Sequence, residues 1–333
     1  MVRVIPDDDV RSLLDLEALL PVVADGFAAQ YAGTVERPER PHYPIGTGLE
    51  TADPEQPLGT GLCMPAYVHG SPYAVTKLAT VFEGNEARGL PTVSARIAVD
   101  DAETGQPVAY LAGTAITNAR TGCIGGLAAR ELAREGPVSL AVIGAGTQAR
   151  WQTRAIDAAT DLESVRIYSP SDSRVRCATE LRDELEAPVE AVPSPARALE
   201  GATVVVTATT STEPVFDGTD LEAGTLVIAV GAYTPEMREL DDRTLERAER
   251  VYADVPKEAR ETGDLCGHPD LEVDDFGGRF VDERTVTSPV PGRQSPDEIL
   301  VLSSVGSAVF DAVTASQLYE RARDEGVGTV VDL

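Results

Sequence analysis

Gly144-Ala145-Gly146-Thr147-Gln148-Ala149 follows an apolar run, Val138-Ser139-Leu140-Ala141-Val142-Ile143, and precedes a stretch with helical patterning. The spacing Gly144-x-Gly146-x-x-Ala149 suits a turn that cradles the pyrophosphate of a dinucleotide. The first glycine permits a tight turn, and the second lets backbone N–H groups approach the phosphates. Ala149 lets the next helix pack close to the strand. That helix, expected over residues 147–159, aims the positive end of its dipole at the phosphates.

Two basic side chains stand in unusual places. Lys77 is one of only two lysines, the other being Lys257, and it falls inside an expected strand over residues 73–82. It could face solvent on the polar side of that strand. A pocket role is preferred, because an amine there can bind or polarise a carboxylate or carbonyl. Arg120 falls in the first turn of a helix expected over residues 119–133, where the helix dipole disfavours a cation. A substrate carboxylate or a cofactor phosphate would account for it. A second strand, Val165 to Tyr168, arrives after the glycine turn and is followed by Ser169. Sites that prefer NAD usually carry Asp or Glu at that strand end. Ser169 leaves room for a 2′-phosphate, with Arg174 or Arg176 as its partner. NADP(H) is therefore favoured, and NAD(H) stays open if Asp172 turns inward.

The elements that must position these groups fall into two styles. Residues 7–32 carry apolar residues at helical spacing, a packing element of one or two helices. Strands are expected over 63–68, 73–82, 92–100 and 108–112, the last two as a hairpin. From the glycine turn onward, strand and helix alternate, with buried strands over 202–209 and 226–231 and a closing strand over 251–254. Residues 265–296 are loop-rich and acidic. A strand over 299–308 runs into a helix over 309–323, and 326–331 suits a last strand. The fold class is α/β.

The 333 residues include 55 acidic and 28 basic ones, a net charge of −27. That sign excludes a nucleic-acid partner. The acids are spread along the chain, as on the hydrated surface of a salt-adapted (halophilic) cytoplasmic protein, where molar salt shortens the Debye length to about 3 Å. No run of about 18 apolar residues suggests a membrane span, and the first residues lack the apolar core of a secretory signal. Cys63, Cys123, Cys177 and Cys266 form no CxxC pair, and His42, His69 and His268 do not cluster, so no metal is expected.

Taken in order, the motifs resemble the ornithine cyclodeaminase / mu-crystallin family over nearly the full length. They are Met64-Pro65-Ala66-Tyr67, Thr76-Lys77-Leu78, Gly89-Leu90-Pro91-Thr92-Val93 and Thr117-Asn118-Ala119-Arg120-Thr121. The glycine turn, Ala229-Val230-Gly231-Ala232, Arg238-Glu239-Leu240-Asp241-Asp242 and Ser304-Val305-Gly306 complete the set. The resemblance implies a Rossmann dinucleotide-binding domain, residues 123–304, inserted into a mixed α/β domain for substrate binding and homodimerisation, residues 1–122 plus 305–333. It implies that Arg40, Lys77 and Arg120 hold the carboxylate of a small α-imino or α-amino acid, and that Val305 touches the substrate. Thr92, Arg120, Thr121, Thr147, Gln148, Ser169, Thr209, Val230 and Ser304 match cofactor-contact positions. Cyclodeaminases carry an aspartate where this chain has Tyr233, and a tyrosine is not an anion near neutral pH. The implied activity is NAD(P)H-dependent reduction of cyclic ketimines such as pyrroline-2-carboxylate, with Lys77 or Tyr233 as proton donor. Alanine dehydrogenase or ornithine cyclodeaminase is the alternative, and a non-enzymatic cofactor-binding protein is a third reading.

Overall fold

The computed structural model describes residues 1–49, 56–282 and 290–332. Residues 50–55, 283–289 and 333 lie outside them. Contacts divide the chain into one unit of Met1–Asp15, Ala32–Arg120 and Ala308–Leu333, and another of Leu16–Tyr31 and Thr121–Ser307.

The first unit is built on a mixed sheet. Its strands are β1 (Val2–Ile5), β2 (Val35–Glu36), β3 (His42–Ile45), β4 (Gly59–Val68), β5 (Tyr73–Val81), β6 (Val93–Asp101), β7 (Pro107–Ala112) and β16 (Thr329–Val331). They run in the order β16-β1-β7-β6-β5-β4-β2, with β3 also paired to β4. Only β1 and β7 pair in parallel. Helices α1 (Asp7–Leu13) and α9 (Ala308–Glu325) belong to this unit, as do the first turns of α3 (Gly113–Leu132). Strand alternation sets the chemistry of the faces. On β5, Tyr73, Val75, Lys77 and Ala79 share the buried face, which packs with Ile97, Val99, Leu111 and the α9 residues Val309, Ala312 and Ala315. Lys77 thus points into the core side of the sheet.

The second unit is a parallel sheet with the doubly wound order. Its strands are β8 (Val138–Ile143), β9 (Leu162–Tyr168), β10 (Val189–Ala191), β11 (Val204–Thr207), β12 (Leu226–Ala229), β13 (Arg250–Ala253), β14 (Val273–Asp275) and β15 (Leu300–Ser303). The order is β10-β9-β8-β11-β12-β15-β13-β14. Each neighbouring pair is parallel, and the central strands β11, β12 and β15 are buried throughout and mostly apolar, as a sheet covered on both faces requires. Helices α4 (Thr147–Ala159), α5 (Ser173–Glu184), α6 (Pro195–Leu199), α7 (Asp242–Arg247) and α8 (Pro256–Ala259) alternate with these strands.

Several expectations need correction. The strand over 251–254 does not close the sheet: β15 inserts between β12 and β13, and β14, a strand of three residues inside the expected loop, forms the edge. Helix α2 (Leu16–Tyr31) packs in the second unit and not in the outer domain assigned to residues 1–122, with Phe27 ringed by Phe276 and Phe280 at 5.2 and 5.3 Å. Helix α3 begins at Gly113, six residues earlier than expected. Thr114, Ile116 and Thr117 are β-branched and weak helix formers. Burying Ala115, Ile116 and Ala119 completely outweighs that preference. From its middle onward it carries Gly122 and Gly126, whose missing side chains admit the backbone of α4, and Gly125, which makes room for the Gln152 side chain: a Cβ at Gly122 would sit 2.7 Å from the Trp151 carbonyl oxygen, and one at Gly126 2.5 Å from that of Ala155.

Candidate active site

The strand order of the second unit reverses at β8, whose neighbours are β9 on one side and β11 on the other. Ligands of open α/β sheets bind beyond the carboxyl ends of the strands at such a point. Gly144 follows β8 there with φ +118°, a conformation that side chains rarely adopt, and a Cβ would also strike the Ala208 carbonyl. Gly146 is the N-cap of α4 and no side chain caps that helix. A Cβ at Gly146 would meet no protein atom within 4 Å. The space in front of this helix start is open on the protein side, room that a phosphate at a helix N-terminus needs. Arg150 braces the turn from below: one terminal nitrogen donates to the carbonyls of Ala145 at 2.7 Å and Gly146 at 3.1 Å, and its Nε pairs with Glu180. Those contacts fix the turn at the N-terminus of α4, the end of a helix that favours an anion. No motif in the sequence had marked Arg150.

Two buried carboxylates shape the other strand ends. Glu239 accepts from the Thr209 N–H at 2.6 Å, the Gly231 N–H at 2.8 Å and the Thr207 hydroxyl at 2.9 Å, joining the segments after β11 and β12. Burial, then the nearby Asp264 carboxylate, pushes its pKa up to about 7. Asp254, after β13, accepts from Ser304 Oγ at 2.7 Å, the Val305 N–H at 3.0 Å and the Gly306 N–H at 2.7 Å. The Ser304-Val305-Gly306 motif is therefore held by a carboxylate 50 residues earlier. Neither acid was singled out as a functional residue from the sequence.

At the end of β9, Ser169 is 8% exposed. Its hydroxyl lies 3.1 Å from that of Ser173, which lies 2.7 Å from that of Ser171. Arg174 folds back on this turn and donates to the carbonyls of Ser169 and Ser171. Asp172 is exposed at the N-cap of α5. Thr121 lends its carbonyl to Gln152 Nε2, Val230 donates its N–H to Thr207, and Tyr233 is about half exposed at 48%. Thr147 and Gln148 open α4. Thr92, in the first unit, is exposed just before β6.

In the first unit the structure brings Lys77, Arg120 and Arg40 into one electrostatic neighbourhood. Arg120 is not in a first turn: it lies two turns into α3, 5% exposed, so the helix-dipole argument for it does not hold. The anion it meets is Asp311 of α9, whose Oδ1 lies 3.1 Å from Arg120 Nε and whose Oδ2 lies 2.5 Å from Lys77 Nζ. Thr117 links the two, accepting from Lys77 at 3.4 Å and donating to Asp311 at 3.2 Å. Burial pulls the Lys77 pKa down to about 8, with Asp311 opposing and the charges of Arg120 and Arg40 assisting. Asp311 itself sits below the ordinary carboxylate range, because Arg120 and Lys77 outweigh the cost of its burial. Two buried cations share this one carboxylate, an arrangement that favours a further anion.

Among the described residues no group of three or more His, Cys, Asp or Glu is placed to hold a metal, and no helix is long and apolar enough to cross a membrane.

The profile of the ornithine cyclodeaminase/mu-crystallin family matches residues 3–326. A delta(1)-pyrroline-2-carboxylate reductase of Bacillus cereus is 32% identical over 299 residues, which cover 88% of this chain and 90% of that protein. The solved structure of the Thermococcus litoralis delta(1)-pyrroline-2-carboxylate reductase in complex with NADH and L-proline superposes with a TM-score of 0.86 at 29% identity, over 99% of this chain and 100% of that one. An archaeal alanine dehydrogenase dimer with bound NAD gives a TM-score of 0.87 at 27% identity, over 100% and 99% of the two chains. With the fold, the glycine turn and the motif order in agreement with these matches, the chain belongs to the ornithine cyclodeaminase/mu-crystallin family.

Proposed function

We propose that this chain reduces α-imino acids, with cyclic ketimines such as pyrroline-2-carboxylate as its substrates. It is a nicotinamide-dinucleotide-dependent oxidoreductase acting on a carbon–nitrogen bond beside a carboxylate. The observation that carries this reading is the buried pair Lys77 and Arg120 with a single shared carboxylate. Together with Arg40 it offers cationic partners for the substrate carboxylate, and a fixed geometry contributes much of a rate enhancement. A bound dinucleotide supplies the hydride. The nitrogen needs a proton, for which Lys77 and Tyr233 are the candidates. A pKa of about 8 leaves the Lys77 ammonium charged at neutral pH and close to the range where an acid works best. The reductase similarity supports the same direction.

In this reading the first unit is the substrate and dimerisation domain and the second is the dinucleotide domain, which Gly144, Gly146, Thr147, Gln148, Thr209, Val230 and Ser304 serve. Val305 lines the substrate side. NADP(H) is the preferred cofactor, supported by the three serine hydroxyls and Arg174 where a carboxylate would exclude a 2′-phosphate. A homodimer is supported by the outer face of the first sheet, where Val4 pairs with Tyr110 and Tyr110 with Ala98, exposing 38% of Val4 and 41% of Tyr110. A salt-adapted cytoplasmic protein accords with the −27 charge and with four free cysteines.

The test is a panel of imino acids with NADPH and NADH at low and high KCl. Pyrroline-2-carboxylate should be reduced to proline, and Lys77→Ala should lose turnover by a factor of about 100 or more. Full turnover by Lys77→Ala would overturn the site. Dinucleotide binding without turnover of any imino acid would favour a binding protein. Ammonia-dependent oxidation of the dinucleotide with pyruvate would identify an alanine dehydrogenase, the second reading, which the archaeal neighbour supports. Proline formed from ornithine would identify a cyclodeaminase, against which Tyr233 stands.

A further inference from the structure

Asp311 sits on α9 with its side chain 1% exposed. No glycine turn, strand end or expected ligand position explains a carboxylate so deep in an apolar core. The apolar cluster of the same unit takes in Val75 of β5, Ile97 and Val99 of β6, and Val309 and Ala312, which stand within two residues of Asp311 on α9. Such a group is retained in ionised form only with close counter-charges, and Lys77 and Arg120 provide them from two different elements.

We propose that Asp311 is the positioning residue of this site: it locks the Lys77 ammonium and the Arg120 guanidinium in one geometry and keeps the Lys77 amine protonated, so that Lys77, not Tyr233, delivers the proton to the substrate nitrogen. The pairing stands on its own contacts, whereas the proton acceptor rests on the imine-reductase reading. Lys77 is faced by Asp311 from α9, by Arg120 and the Thr117 hydroxyl from α3, and by the charge of Arg40 from the segment before β3. Burial and the two arginines favour a neutral amine, and Asp311 opposes them. An ammonium has three N–H donors. Asp311 takes one and Thr117 another, so that the third is left for the substrate. In the step, the C=N bond becomes C–N. Its carbon gains the hydride that a reduced nicotinamide supplies, and its nitrogen gains the Lys77 proton. Oxidised nicotinamide and a neutral Lys77 amine remain, and water reprotonates the amine.

The chain has two lysines, which makes a direct measurement simple. With lysine labelled by 15N at Nζ, a Lys257→Arg background leaves Lys77 as the one lysine side-chain signal. Its titration by NMR should lie at about 8 and should fall by at least about one pH unit in Asp311→Asn. The alkaline limb of kcat/KM for pyrroline-2-carboxylate should move down with it. At pH 8, kcat should drop about 10- to 100-fold while the dinucleotide Kd stays within about twofold. Asp311→Glu, which keeps the charge, should hold the Lys77 titration near the wild-type value. An unchanged Lys77 titration in Asp311→Asn overturns the proposal whatever the substrate is. A shifted titration with an unmoved pH–rate profile overturns Lys77 as donor. A shifted titration with no turnover of any imino acid in the wild type upholds the pairing and defeats the reductase reading instead. If Asp311→Asn does not fold, the wild-type spectrum serves: a Lys77 amine already neutral at pH 7 overturns the proposal.

Discussion

The Glu239 carboxylate accepts the backbone N–H of Gly231 at 2.8 Å, within a side chain that water does not reach. Through its other contacts it also holds Thr207 and Thr209, so one acid ties the ends of β11 and β12 where the cofactor reading needs them. Burial comes first, and Asp264 second, in raising its pKa from 4.5 to about 7. A folded-state pKa above the unfolded one means that the native protein binds the extra proton between these values. The corresponding stability is fully present below about pH 4.5 and is lost as pH rises through about 7, a difference of roughly 3 kcal/mol at most. Asp264, also raised by burial, acts with the same sign. Glu239→Gln removes the titration but turns an amide toward donors, which costs about 1–3 kcal/mol at every pH. Thermal unfolding at pH 5 and pH 7.5 should therefore show a smaller pH-dependent loss in the variant than in the wild type. Equal losses would mean that Glu239 is ionised throughout.

Close packing of α3 on α4 gives a second test. A Cβ added at Gly126 would lie 2.5 Å from the Ala155 carbonyl oxygen, and the obstacle is backbone, not a side chain that can swing away. Helix propensity alone would make Ala the better residue by about 1 kcal/mol. Overpacking costs about 1–3 kcal/mol and should win. Gly126→Ala is expected to lower the urea midpoint without changing the slope, and a raised midpoint would show that α4 can move aside freely.

The sequence carried the second unit well because its signals are local. The apolar run of β8, the glycine turn and α4 are adjacent in the chain, and α4 spans Thr147–Ala159 as expected. The order of β13, β14 and β15 was not legible, since it depends on which strand ends a return segment can reach and not on spacing. Residues 16–31 read as helix, yet nothing in their periodicity states that Phe27 meets Phe276 and Phe280 some 250 residues later. Lys77 stood out by its rarity. Asp311 did not, because one acid among 55 in a helix looks like any other until burial is known. Its sequence separation of 234 residues from Lys77 leaves no motif to find. The same holds for Asp254 and Glu239, whose partners are backbone N–H groups and one hydroxyl apiece in distant segments.

Cofactor choice should turn on Ser169. A carboxylate at this strand end accepts from the ribose 2′-hydroxyl and repels a 2′-phosphate. Ser169 is 8% exposed and bonded to Ser173, so Asp at this position would place its charge among the three hydroxyls. Ser169→Asp is expected to change the ratio of kcat/KM for NADPH over NADH by about 10-fold or more in favour of NADH, a discrimination of at least about 1.4 kcal/mol. Arg174→Ala should weaken NADPH more than NADH, and also loosen the turn, since its guanidinium holds the Ser169 and Ser171 carbonyls. A wild-type enzyme that prefers NADH, or variants whose ratio does not move, would exclude the NADP assignment.

The net charge of −27 sets two salt effects against each other. Surface ion pairs such as Arg154 with Glu184 at 2.6 Å and Arg321 with Glu325 at 3.1 Å are weakened by salt. Each is worth about 0–1 kcal/mol, so their loss is small. Repulsion among the excess acids extends over about 10 Å at 0.1 M salt and about 3 Å at 1 M. With nearly twice as many acids as bases, the excess acids repel one another over that longer range. Relief of repulsion should dominate, and moving from about 0.1 M to about 2 M KCl should raise the Tm by at least about 5 °C. Arg154→Ala should lose less than 1 kcal/mol in low salt and less still in high salt, since the pair it breaks is exposed. A Tm that is flat or falls with KCl would show that repulsion among the acids does not limit stability in dilute salt, and the salt-adapted reading would lose its support.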